Sequence, residues 1–189
     1  LTVAPLSGIT PPVDQATKAT LEAAIRDIPD FPEPGILFKD ITPVLGDPKL
    51  FQMAIESMVA PYREQGISKI VGIDARGFIF AAAAARELDA GFVPVRKKGK
   101  LPWKTYGVAY SLEYGEAEVE IHTDAVHEGE KVLLLDDLLA TGGTAAAAQK
   151  LLGQLGADLV GSSFLIELSF LNGREKLSPD SDIHTILSY

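Results

Sequence analysis

The chain has 189 residues, with 26 acidic against 17 basic side chains for a formal net charge of −9, 47% hydrophobic residues and no cysteine. That length supports one full hydrophobic core, and the negative balance argues against a general nucleic-acid binder. The absence of cysteine excludes disulfides, thiolate nucleophiles and cysteine-based zinc sites, and is consistent with a cytoplasmic location. No apolar run reaches the roughly 18 residues a bilayer span needs, since the longest candidate, Phe78–Ala85, is interrupted by Arg86.

Residues 1–20 read as a flexible, Pro-containing arm, and Leu1–Thr17 lacks the charged start and apolar centre of a signal peptide. From Leu21 onwards a single domain is expected. Leu21–Asp27 reads as a helix, and Pro29, Pro32, Pro34 and Gly35 then force an irregular segment before Ile36–Phe38. Phe51–Gln65 reads as an amphipathic helix with one apolar face. Ile70–Ile73 is a strand, Phe78–Leu88 a helix and Phe92–Val95 a strand, a β-α-β unit that brings both strand ends to one sheet edge. Tyr106–Leu112 and Ala117–Ile121 predict a β-hairpin that extends beyond the core and can act as a lid. A buried strand Val132–Leu135, a helix to Leu155 and a strand Leu159–Ile166 follow, and the residues from Leu168 onwards read as short elements. Alternation of this kind predicts an α/β fold, a mostly parallel sheet with helices on both faces.

The most informative stretch is Val132–Thr144. A uniformly apolar strand ends in Asp136-Asp137, and Ala140-Thr141-Gly142-Gly143-Thr144 then leads into a helix. In open α/β sheets the carboxyl ends of strands face the ligand crevice. Small loop residues let the backbone approach a ligand closely, and the exposed N–H groups of the following helix favour a phosphate. Two carboxylates beside that anion site are suited to sugar hydroxyls, directly or through a metal-bound water. No Gly-Lys-Ser/Thr follows, which disfavours a nucleoside triphosphatase. Asp74-Ala75-Arg76-Gly77 ends another strand on the same predicted edge, where Arg76 can offer a charged fork to a diphosphate. Its plainer role is a surface ion pair beside an Asp helix cap. Arg96, Lys97, Lys98 and Lys100 form a basic cluster in an anionic chain, either a solvated charge run or a pyrophosphate contact. His122, His127 and His184 show no metal-ligand spacing.

The acidic pair followed by Thr-Gly-Gly-Thr resembles the phosphoribosyl pyrophosphate signature of the type I phosphoribosyltransferases. Four further segments resemble the adenine phosphoribosyltransferases: Pro29 through Ile41, Asp74–Phe78, Arg96–Pro102 and Ser111–Gly115. Together they cover the chain from about Leu21 to Leu187. The resemblance implies transfer of a 5-phosphoribosyl group from phosphoribosyl pyrophosphate to adenine, forming AMP and pyrophosphate in purine salvage. It implies a type I fold with a small hood, built from about residues 28–44 and the C-terminal segment, and a lid over about 96–121. Asp136, Asp137 and Ala140–Thr144 would bind the phosphoribosyl moiety and its 5-phosphate, and Asp74, Ala75, Arg76, Arg96, Lys97 and Lys100 the pyrophosphate. The resemblance also places a non-proline cis peptide at Asp74–Ala75.

By its residues alone Glu113 reads as a solvated turn glutamate, or as a carboxyl in a lid-like hairpin that closure over a ligand would desolvate so that it handles a proton. The resemblance makes it the catalytic acid/base, with Arg76 also catalytic and Tyr114 a gating aromatic. Adenine would meet main-chain groups of Leu37 and Lys39, the ring of Phe38, and Leu168. Mg²⁺ would arrive on the substrate with no ligand directly from the protein, and the active form would be a homodimer sharing sites through the basic loop, with no nucleic-acid or membrane partner. The rival readings are a phosphoribosyltransferase for another purine base and a non-catalytic sensor of phosphoribosyl pyrophosphate.

Overall fold

A computed structural model describes residues 13–111 and 116–189. These fall into two compact units divided between Met53 and Ala54.

The N-terminal unit holds helix α1 (Gln15–Ala24), strands β1 (Arg26–Pro29) and β2 (Leu37–Asp40) and the short helix α2 (Thr42–Gly46), and helix α3 (Pro48–Val59) starts within it. The helix expected over Leu21–Asp27 therefore begins and ends earlier, so part of the segment read as a flexible arm is helical. Asp14 is the reason: its Oδ1 accepts the backbone N–H groups of Ala16 and Thr17 at 3.0 Å each, satisfying donors that the first helical turn leaves free. Past Ala24 the chain turns into β1, which pairs antiparallel with β2. The Arg26–Asp40 ion pair, 2.7 Å, ties the two strands across that register.

Helix α3 is also displaced towards the N-terminus relative to the expected Phe51–Gln65. Asp47 caps it through the N–H groups of Lys49 and Leu50, at 2.8 and 3.1 Å. Pro61, which has no N–H and collides with the preceding turn of an α-helix, replaces its last turns by a 3-10 turn.

The second unit, Ala54–Tyr189, is built on strands β3 (Lys69–Ile73), β4 (Gly91–Lys97), β5 (Thr105–Ser111), β6 (Glu116–His122), β7 (Lys131–Leu139), β8 (Asp158–Glu167) and β9 (Asp182–Ser188). Helix α4 (Gly77–Glu87) follows β3 and helix α5 (Gly143–Gln154) follows β7. The seven strands form one sheet in the order β5-β6-β4-β3-β7-β8-β9, parallel from β4 to β9, with β6 antiparallel to both β4 and β5. This is the mostly parallel α/β sheet the alternation predicts. Its strands read as apolar runs because both faces are covered. Val71, Ile73, Val132 and Leu134 pack in one cluster with Ala145, Ala148, Leu151 and Leu152 of α5. On the other face α4 approaches so closely that a Cβ on Gly72 would lie 2.6 Å from that of Ala81.

Two elements depart from expectation. The β5–β6 hairpin does not stand clear of the core: β6 joins β4 at Arg96↔Glu120 and Lys97↔Val119, and Val108, Val119 and Ile121 are buried in the main cluster. The C-terminal residues, read as short elements, supply a full seventh strand. Asp182, His184, Thr185 and Ser188 hide its apolar signal from inspection, although Ile186 and Leu187 are buried. Among the described residues no helix is long and apolar enough to cross a membrane.

Candidate active site

From β3 the chain winds outward to β4 and its hairpin, then returns to lay β7 on the opposite flank of β3. Neighbouring strands whose following segments leave in opposite directions create the crevice where open α/β sheets bind ligands. Two sequence motifs far apart in the chain meet there. A cavity of about 230 Å³ is lined by Ile73, Asp74, Ala75, Arg76, Asp136, Asp137, Leu138 and Thr144. A smaller one, about 80 Å³, is lined by Asp136 and by Leu138 through Ala145, so the two share Asp136, Leu138 and Thr144.

The carboxylates lie within β7, which continues to Leu139, rather than beyond its end. Asp137 is buried and Asp136 partly so. Burial pushes the Asp136 carboxyl well above the usual carboxylate range, and the neighbouring charge of Asp137 adds to this. Asp137 is also raised by burial, with Arg76 opposing the rise. That opposition is direct, because Arg76 Nε lies 2.7 Å from Asp137 Oδ2. The N–H of Asp137 donates to Asp136 Oδ1 at 2.9 Å. Sequence reasoning missed the part played by Gly77. A Cβ there would lie 2.6 Å from Asp136 Oδ1 and 3.1 Å from the Leu135 carbonyl oxygen, so only glycine lets the start of α4 close on this carboxylate.

The phosphate-type loop has the expected features. Gly142 takes a left-handed conformation, φ 78°, and no side chain caps α5, whose first N–H groups therefore remain available to a ligand. The Asp74–Ala75 peptide is cis, at the bond the resemblance indicates.

Arg96 does not line the cavity but contacts a residue that does, its Nε 3.4 Å from Asp74 Oδ2 and its Nη1 donating to the Lys100 carbonyl at 3.0 Å. Lys97 and Lys100 are exposed and do not line the cavity. Lys98 pairs with Glu118 at 2.7 Å.

Leu168 follows β8 and donates its N–H to the Leu139 carbonyl at 2.9 Å, beside the end of β7. Leu37, Phe38 and Lys39 lie in β2 of the N-terminal unit, where the Phe38 ring meets Phe31 edge-on at 5.1 Å and Lys39 Nζ pairs with Asp27 at 2.7 Å. Glu113 and Tyr114 lie outside the described residues. Of the histidines, His184 Nε2 is 3.1 Å from the Ser57 carbonyl, and His122 Nε2 is buried without a hydrogen-bond partner.

The family model for the phosphoribosyl transferase domain matches residues 45–187. An adenine phosphoribosyltransferase of Mesorhizobium japonicum is 60% identical over 158 residues, 84% of this chain and 87% of that protein. Another, of Rhizobium leguminosarum bv. trifolii, is 53% identical over 94% of this chain and 98% of its own length. Among solved structures, the adenine phosphoribosyltransferase of Rhodothermus marinus superposes with a TM-score of 0.89 at 53% identity, covering 93% of this chain and all of that one. The Saccharomyces cerevisiae enzyme, crystallised with an imino-altritol bisphosphate and adenine, gives 0.87 at 41% identity, covering 92% and 99%. Motif, sheet order and these likenesses agree, and the chain belongs to the adenine phosphoribosyltransferase family of phosphoribosyl transferases.

Proposed function

We propose that this chain transfers the 5-phosphoribosyl group of phosphoribosyl pyrophosphate to adenine, giving AMP and pyrophosphate in purine salvage. The observation that carries this reading is the meeting, at the β3–β7 crevice, of a buried acidic pair, an uncapped Gly-rich helix start and an arginine. Ala140–Thr144 receive the 5-phosphate on backbone N–H groups at the start of α5. Asp136 and Asp137 accept the ribose hydroxyls. Burial has taken water from these carboxylates, so hydroxyl donors replace hydrogen bonds that the folded chain leaves unmade. Arg76 and Arg96, with Asp74 and Ala75 shaping the turn, bind the departing pyrophosphate.

Glycosidic bond cleavage passes through an oxocarbenium-like state, and two carboxylates fixed beside the ribose stabilise its positive charge as it develops. Glu113 handles the proton on the purine. Tyr114 gates the lid. The main chain of Leu37 and Lys39, the Phe38 ring and Leu168 are assigned to adenine on sequence resemblance.

Among the described residues no group of three or more metal-ligating side chains lies together. Asp136 and Asp137 nevertheless supply hard oxygen donors of the kind that hold Mg²⁺ through its waters. When bound with the diphosphate, the ion neutralises charge on the leaving group. The active form is assigned to a homodimer in which Lys97 and Lys100, exposed and absent from the lining of this chain's own cavity, reach the partner's site.

The test is nucleotide formation from phosphoribosyl pyrophosphate and Mg²⁺ with adenine, hypoxanthine, guanine or xanthine in turn. AMP from adenine is expected to dominate. Binding of phosphoribosyl pyrophosphate without any AMP would overturn the reading in favour of a sensor, and preference for another base would reassign the acceptor. Glu113→Gln should slow turnover far more than it weakens phosphoribosyl pyrophosphate binding.

A further inference from the structure

The phosphate-type loop rests on a second glycine that no motif singles out. Gly173 is the one buried residue of a 3-10 turn, Gly173–Lys176, that follows β8. A Cβ on Gly173 would overlap the carbonyl oxygen of Ala140 and lie 2.9 Å from the Gly142 nitrogen. In return, a Cβ on Gly142 would overlap the Gly173 carbonyl oxygen. The contact is backbone against backbone, so no flexible side chain can move aside to relieve it.

The turn is itself firmly anchored. Arg174 forks onto Glu167 at the end of β8, with Nε to Oε1 at 3.1 Å and Nη2 to Oε2 at 2.7 Å, and its Nη1 donates to the Ile183 carbonyl in β9 at 3.0 Å. Leu177, the residue that ends the turn, is buried in the main core cluster. A two-pronged guanidinium–carboxylate bridge fixes orientation as well as distance. Gly173 is therefore held by β8 and β9, the strands beyond β7, and in turn holds Ala140–Gly142 from behind.

We infer that the Gly173–Arg174 turn is the positioning brace of the phosphate loop, and that it sets the enzyme's affinity for the 5-phosphate of phosphoribosyl compounds. The inference rests on the assignment of Ala140–Thr144 to that phosphate. A loop already fixed in its binding conformation does not have to be ordered by the ligand, which raises affinity. Relieving the overlap takes a shift of about 1 Å between Gly173 and the Ala140 carbonyl, which re-aims the N–H groups at the start of α5 while Asp136, Asp137 and Arg76, held by their own contacts, keep their places.

The experiment compares wild-type enzyme with Gly173→Ala. It measures kcat and the KM for phosphoribosyl pyrophosphate, calorimetric binding of ribose 5-phosphate and of magnesium pyrophosphate, and thermal melting. The variant is expected to raise the KM and weaken ribose 5-phosphate binding by about tenfold, in line with the steep dependence of oriented sites on placement. Its kcat should change by less than about threefold and its pyrophosphate affinity should hold, because the reacting groups have not moved. Arg174→Lys keeps the charge but loses the fork. It should show the same split on a smaller scale, and it carries the test if Gly173→Ala does not fold.

Wild-type ribose 5-phosphate affinity in Arg174→Lys and in any folded Gly173→Ala would overturn the brace. So would parallel loss of every ligand together with melting temperature, the mark of a merely structural residue. If wild-type enzyme fails to bind ribose 5-phosphate, the phosphate assignment itself falls and the brace falls with it.

Discussion

Arg76→Gln removes the guanidinium whose Nε lies 2.7 Å from Asp137, and the two side chains differ sharply in environment, 42% and 8% exposed. Unit charges about 4 Å apart attract by about 4 kcal/mol at an effective dielectric of about 20, and by about 1 kcal/mol in water. The half-exposed arginine is screened towards the lower figure, while the buried carboxylate keeps its desolvation cost once its partner is gone. The expected loss of ligand-free stability is therefore about 1–3 kcal/mol.

The pH dependence has a definite sign. Asp137 is already raised by burial, and Arg76 opposes that rise. Without Arg76 the folded-state pKa climbs further above the unfolded value. A raised folded pKa contributes stability that is present in acid and lost as pH rises through that pKa. The deficit of Arg76→Gln relative to wild type should thus be largest above neutrality and shrink on acidification.

Urea denaturation of wild type, Arg76→Gln, Asp137→Asn and the double variant, at about pH 8 and about pH 5, measures the coupling free of Arg76's other contacts. A coupling of about 1 kcal/mol or more is expected at the higher pH. A value under about 0.3 kcal/mol, or one that does not change with pH, would refute the reasoning.

Two further substitutions probe the same crevice. In Asp136→Asn, removal of a carboxylate held well above its usual range by burial and by Asp137 should raise the melting temperature at about pH 8, with the gain fading in acid where wild type is also protonated. The same variant should weaken phosphoribosyl pyrophosphate binding, and a melting temperature unchanged at the higher pH would count against the burial argument. In Gly77→Ala, the new Cβ meets Asp136 Oδ1 at 2.6 Å and the Leu135 carbonyl at 3.1 Å. Overpacking of that kind costs about 1–3 kcal/mol, against the 0.5–1 kcal/mol or so that alanine gains over glycine within a helix. Denaturant titration that finds this variant more stable than wild type would show that α4 does not press on β7 as described.

What was legible in the sequence followed from short-range physics. Val132–Leu135 and Ile70–Ile73 are uniformly apolar because the parallel strands are covered on both faces, and Gly142-Gly143 announces a turn before a helix. Features that depend on tertiary neighbours were hidden. The Arg76–Asp137 ion pair exists because β3 and β7 are adjacent, which no local pattern states. Gly77 and Gly173 look like ordinary punctuation until the chain packed against each of them is known. The strand Asp182–Ser188 is masked by polar residues on a sheet edge. The start of α1 was missed because Asp14 lies in a polar stretch where a cap is easily taken for a loop.

The seam between β4 and β6 has a mechanical consequence. At its end Lys98 N–H donates to the Glu118 carbonyl at 3.0 Å, Gly99 N–H donates to Glu120 Oε2 at 2.9 Å, and Lys98 Nζ grips Glu118. The basic turn is thereby tied to the β5–β6 hairpin, whose Val108, Val119 and Ile121 are buried in the main cluster. Glu113 lies in the segment joining the two arms of that hairpin. Displacing the cationic turn therefore breaks its bonds to Glu118 and Glu120, so the acidic residues of β6 set how readily Lys98 and Gly99 can move.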